Sequence, residues 1–225
     1  MSGAQHPAAP APGSRRYFTL LYTPAAHREA LNTLLALADE IGAAPGGSAD
    51  HSVMHVRLEW WRRETERFAR GEPQHPWLRA LLSEHPSTAT LNLQALVEGA
   101  AIDLASRTLA SQQSYALRRA LFELAATALG AQSLSGPLRA AIGELGESLE
   151  KLESNPSDEQ ARHDLQQQLG LIGDAHQPAL APLLVWLALV AHRSHRPAPL
   201  LEGLTDNLVA WRAARSAARG RFRLQ

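Results

Sequence analysis

A chain of 225 residues with 45% hydrophobic content is long enough to bury a sizeable core and fits a single domain. Its 22 basic and 22 acidic residues cancel, which excludes a global positive field of the kind that draws in nucleic acid, though a local patch stays open. The absence of cysteine excludes disulfides, thiolate metal sites and cysteine nucleophiles, and it fits a reducing compartment.

The first sixteen residues contain Pro7, Pro10, Pro12 and Gly13 and no apolar core of a signal peptide. This predicts a disordered segment over 1–16, a helical domain over 17–225 and a cytoplasmic protein. Beyond it, apolar residues recur at helical spacing and period-2 alternation of β-branched residues is nearly absent, so the fold class is all-α. Breaker clusters at 44–48, 71–76, 84–87, 130–137, 154–157, 170–178 and 196–199 leave about eight helical segments.

The helix predicted over 51–70 sets Val53, Arg57, Trp60, Trp61, Glu64 and Phe68 within one sector. Arg57 and Glu64 thus lie amid aromatics, where a charge must be paired or neutralised. Two readings follow: a buried ion pair tethering this helix to its neighbours, or Arg57 or Arg62 facing a cavity that holds an anion such as a diphosphate. Gly71 is expected to end the helix in a left-handed cap, with Pro73 and Pro76 unable to continue it. His51 and His55 have metal-ligand spacing but no third ligand, and they read as surface histidines.

The next segments include an apolar helix through Leu91, Leu93, Leu96, Val97, Ile102 and Leu104 that carries Glu98 and Asp103. A helix apolar nearly all round is central, so its carboxylates need partners; Arg57, Arg118 and Arg119 are the cations available to them. Acidic residues at 144, 147, 150 and 153 wind around a later helix that is expected to face water. A further helix starts after the Ser154, Asn155, Pro156 and Ser157 cluster and is expected to stop at Gly170. The apolar stretch over 180–191 is too short to span a bilayer and reads as a buried core helix, with His192 and His195 in its last turn. The segment over 211–223 carries five arginines and no acid, with Trp211, Arg215, Ala218 and Phe222 on one side. It is either a packed terminal helix with a solvated basic face or a peripheral contact with an anionic membrane or partner.

The run Val56-Arg57-Leu58-Glu59-Trp60-Trp61-Arg62-Arg63-Glu64, followed by Gly71-Glu72-Pro73-Gln74-His75-Pro76, resembles the "RLxWWRxE … GxPxHP" signature of the squalene/phytoene synthase family. Leu96-Val97-Glu98-Gly99-Ala100-Ala101-Ile102-Asp103-Leu104 is similar to that family's "LIxGxxxDL" helix. The resemblance implies the isoprenoid synthase fold, an antiparallel helical bundle around a deep cavity. Active members condense two prenyl diphosphates head to head with magnesium held between two aspartate-rich helices, because carboxylates on facing helices seat the cations that neutralise departing diphosphate.

Set against that pattern, Asn32-Thr33-Leu34-Leu35-Ala36-Leu37-Ala38-Asp39-Glu40-Ile41-Gly42-Ala43 places Asp39 at the first motif's arginine, and Gly42, Ala43 and Gly46 on its aspartates. In the second motif Glu147, Glu150, Glu153 and Ser154 stand at the glutamine, asparagine, arginine and first aspartate, and only Asp158 is kept. This loss is similar to a divergent branch whose mitochondrial members act as respiratory complex I assembly factors, in which a lone carboxylate, here Glu40, replaces the paired aspartates. The resemblance therefore implies a non-catalytic protein without a cofactor, binding a protein partner or an isoprenoid-like lipid. Arg57, Trp61, Arg62, Glu64, Glu98 and Asp103 would line its cavity or form an internal polar network. The alternative is an active prenyl transferase using Mg2+ through Asp39, Glu40, Glu150 and Asp158.

Overall fold

The structure is a computed structural model that describes residues 6–43, 51–108, 113–131, 134–174, 177–194 and 202–219. Among these residues the regular structure is helical throughout: α1 (Arg15–Leu21), α2 (Ala25–Gly42), α3 (His51–Ala69), α4 (Pro76–Glu84), α5 (Gln94–Thr108), α6 (Ala116–Ala128), α7 (Gly136–Ser154), α8 (Glu159–Asp174), α9 (Ala181–Ser194) and α10 (Glu202–Ala218). Successive helices pack on one another in the pairs α5/α6, α6/α7, α7/α8 and α9/α10, which is how short connections arrange a helical bundle.

Among the described residues ten α-helices stand where about eight segments were expected, because two segments are each divided. Pro24, at the N-cap of α2, separates α1 from α2. Helices α5 and α6 are separate, and the sequence between them, over 109–115, holds neither glycine nor proline, so no breaker signals the division. Helix α1 also begins inside the segment expected to be unstructured. The Ser14 hydroxyl accepts from Tyr17 N–H and caps it, while His6 lies between Glu29 and Glu84 at 3.3 and 3.2 Å.

Two other boundaries depend on glycine conformation. Gly71 has φ +82° after α3, and its N–H and that of Glu72 donate to Phe68 O and Arg67 O at 2.9 Å, the expected left-handed cap. Gly170 does not stop α8, which continues to Asp174: its φ is not positive and a Cβ there would meet nothing within 4 Å.

A large apolar cluster runs through α2 to α9, with Trp61, Phe68, Phe122, Leu31, Leu34 and Leu96 almost fully enclosed. Each such side chain contributes about 1.5–3 kcal/mol by leaving water. A second cluster joins Phe18 of α1, Val185, Ala188 and Leu189 of α9, and Ala210 and Ala213 of α10. The buried stripe of α3 is Met54, Leu58, Trp61, Glu64 and Phe68, while Val53 and Trp60 face outward. The helix is therefore turned relative to the sector read from the sequence: Met54 and Leu58, seven and three positions before Trp61, continue its face.

Candidate functional site

A cavity of about 290 Å³ opens where the C-terminal end of α2 meets α5, α6 and α7. Ala38, Leu117 and Leu121 give it apolar walls, and Asp39, Asp103, Arg107, Tyr115, Arg118 and Glu150 supply polar groups. Its position is set by a close crossing of α5 and α6. A Cβ on Gly99 would fall 2.7 Å from the carbonyl carbon and oxygen of Ala116 and from the Cα of Leu117, so only glycine lets the first turn of α6 approach this near.

One turn further along α5, the Asp103 carboxylate accepts from the Ala116 and Leu117 N–H groups at 2.7 and 3.2 Å. It caps the free N-terminus of α6 from outside that helix. Burial pushes this carboxyl above its ordinary value against the pull of those donors. The glycine and aspartate of the "GxxxD" spacing thus act together, one admitting α6 and the other satisfying its backbone. The arginine partner expected for Asp103 is replaced by backbone amides.

Arg118 crosses the cavity wall. Its guanidinium meets Glu150 of α7 through Nε and Nη2, both at 2.6 Å, and stacks on the Trp186 ring at 5.3 Å from its centroid. Arg119 Nη1 reaches Glu147 at 3.1 Å. Glu153 accepts from Arg15 and from the Trp186 indole, and Glu144 accepts from Gln168 of α8 at 2.6 Å. The acidic run of α7 therefore does not face water as expected. Three-residue spacing steps each carboxylate around the helix, so they turn successively toward α8, α6 and α1, where a partner waits.

Of the six residues expected to gather at a site, Asp103 alone lines this cavity. Among the described residues Arg57 meets no carboxylate: its guanidinium donates to Glu40 O and, at 3.1 Å, to Ala43 O, closing the carbonyl end of α2. Arg62 turns to Glu59 at 2.6 Å on the outer side of α3. Glu98 is exposed and takes a hydrogen bond from Gln94 on its own helix. This corrects the expectation of a carboxylate inside a central helix, because Glu98 lies on the open side of α5.

Glu64 is buried at 0% exposure and accepts from Gln74 N–H and His75 N–H at 2.7 Å, and from Arg67 Nε and Nη2 at 2.8 and 2.5 Å. Trp61 and Trp60 pack on the His75 ring with centroids 5.1 and 6.1 Å away, and Trp77 closes it from another side at 5.1 Å. The tryptophan helix and the His-Pro turn are one structural unit, fastened by Glu64.

The four carboxylates weighed as metal ligands do not come together as one set. Asp39 and Glu150 share the cavity, Asp39 facing Arg16 at 3.4 Å with its carboxyl pushed up by loss of water. Glu40 lies 3.8 Å from His75 Nε2, and Asp158 caps α8 by accepting from Ala161 N–H at 2.9 Å. Among the described residues, no three His, Asp or Glu side chains stand together as ligands of one ion. Gly46, His195, Arg221, Phe222 and Arg223 lie outside the described residues. Sequence reasoning missed Arg16, placed in the unstructured segment, and Arg107. The signal that reveals the Arg118–Glu150 and Arg119–Glu147 pairs is the double arginine of α6 against the three-residue acidic period of α7.

No family model matches the chain, and no curated protein or solved structure gives a match.

Proposed function

We propose that this protein is a non-catalytic helical bundle of the squalene/phytoene synthase type that binds a protein partner or an isoprenoid-like lipid. The observation that carries this reading is the neutralisation, by the chain's own cations, of the acidic side chains on the two helices that would have to face each other across magnesium. Asp39 on α2 pairs with Arg16, and Glu147 and Glu150 on α7 pair with Arg119 and Arg118. A carboxylate whose charge is already offset by a guanidinium attracts a divalent cation less strongly, and three such pairs oppose the assembly of a metal cluster. The polar cavity, about 290 Å³ with apolar walls, is at the small end of ligand sites and suits part of one chain rather than two prenyl substrates side by side.

A second reading, an active head-to-head prenyl transferase, is favoured by one observation: Asp39 and Glu150, from the two helices in question, line the same cavity. A magnesium-dependent assay with farnesyl and geranylgeranyl diphosphate separates the two. The first reading expects pyrophosphate release no greater than the enzyme-free blank. Release well above it, abolished by Glu150→Gln, would establish the second.

A further inference from the structure

The molecule is neutral overall, yet its charge is unevenly placed. From Asn207 to Gln225 there are five arginines, at 212, 215, 219, 221 and 223, and no acidic residue. Among the described residues, the helices packed on α10 do not balance them. Helices α1 and α9, which pack with α10 around the second apolar cluster, contain no Asp or Glu. On α10 itself Asp206 is buried at 2% exposure, and Glu202 stands at the first position, about 15 Å of helical rise before Arg212.

The exposed face of α10 also carries apolar groups where solvent alone does not call for them. Leu208 and Trp211 are each 46% exposed, and Arg212, Arg215 and Arg219 continue the same face at helical spacing. The opposite face, Ala210, Ala213 and Ala217, is buried against the bundle, so the orientation of the helix is fixed and the basic, aromatic face is turned outward. Arg215 stacks over Trp211 at 5.1 Å from the ring centroid, which holds a cation and an indole side by side. An indole and a leucine among arginines match the interface of a bilayer, where rings sit at headgroup level and cations meet lipid phosphates.

We propose that the outer face of α10 docks this protein onto an anionic membrane surface, with Trp211 and Leu208 entering the headgroup region and Arg212, Arg215 and Arg219 on the lipid phosphates. No helix among the described residues is long and apolar enough to cross a membrane, so the contact is peripheral. The occupant is lipid rather than an acidic polypeptide because charge pairing alone gives no use to the exposed tryptophan and leucine beside the arginines. The proposal stands on α10 and its neighbours and does not depend on the family reading.

The test is co-sedimentation of the full chain with vesicles of phosphatidylcholine alone and of phosphatidylcholine with phosphatidylglycerol, at low and high salt. Binding is expected only with the anionic lipid and should weaken as salt rises. Neutralising Arg212→Gln, Arg215→Gln and Arg219→Gln together should lower the partition coefficient by about two orders of magnitude, at roughly one factor of five per arginine. Trp211→Ala should lower it several-fold, with circular dichroism confirming that both variants keep their helix content. Equal binding to both vesicle types, no binding to the anionic ones at low salt, or indifference to the triple substitution overturns the proposal. So does capture by polyglutamate, without vesicle binding and unaffected by Trp211→Ala, which would place an acidic protein there.

Discussion

Glu64 and His75 are joined by a carboxylate-to-backbone hydrogen bond of 2.7 Å, and the same oxygen takes the N–H of Gln74 at the same distance. A fully buried anion is thereby satisfied by the turn that follows its own helix, with Arg67 covering the other oxygen. Glu64→Ala would leave those two amides and a half-buried guanidinium without their acceptor. A loss of about 3–5 kcal/mol is expected from denaturant unfolding. A loss below about 1 kcal/mol would show that the turn stands without the carboxylate.

His75, packed among three tryptophans, gives the fold a pH dependence. Burial holds its imidazole below the ordinary 6.5, outweighing the opposite pull of Glu40 and Glu64. The unfolded chain takes up a proton at higher pH than the folded one, so this contribution to stability is complete above pH 6.5 and declines as pH falls through the folded value. His75→Phe keeps the backbone N–H for Glu64 and an aromatic ring for the tryptophans. Its unfolding free energy should fall less than the wild type's between neutral and mildly acidic pH; parallel curves for the two proteins would assign the titration elsewhere.

At Gly99 the added methyl of alanine meets backbone on the facing helix, which cannot swing aside. Gly99→Ala is expected to cost about 1–3 kcal/mol, by forcing α5 and α6 apart and stretching the Asp103 cap. Gly170→Ala is the matched control: it lies in the interior of α8 with nothing within 4 Å of the new Cβ, so the stability read from thermal unfolding should rise by about 0.5–1 kcal/mol.

Arg57→Ala distinguishes a helix-end donor from a buried ion pair. Its bonds are to carbonyls at the end of α2, so the expected loss is about 1–2 kcal/mol, below the 3–5 kcal/mol of a broken buried pair. A larger loss, matched by Glu98→Ala and non-additive with it in a double-mutant cycle, would restore the ion pair between α3 and α5.

The all-α class, the apolar core helices and the left-handed cap at Gly71 could be read from the sequence, because helical periodicity and a glycine before two prolines act through local geometry. The residue types of the tryptophan helix, the "GxxxD" spacing and the acidic run of α7 were equally plain. What they do was decided by packing. Whether Glu98 or Asp103 faced inward, and whether Asp103 met an arginine or the amides of α6, turns on how α5 is rotated against its neighbours, and one residue on a helix changes direction by 100°. Arg57 and Glu64 share a helix, yet one closes α2 and the other fastens the turn after α3, since partners for a buried charge come from whichever backbone or side chain the fold brings near. Local sequence set which segments coil; the crossing of α5 and α6 at Gly99, and with it the cavity beside Asp39 and Glu150, exists only in three dimensions.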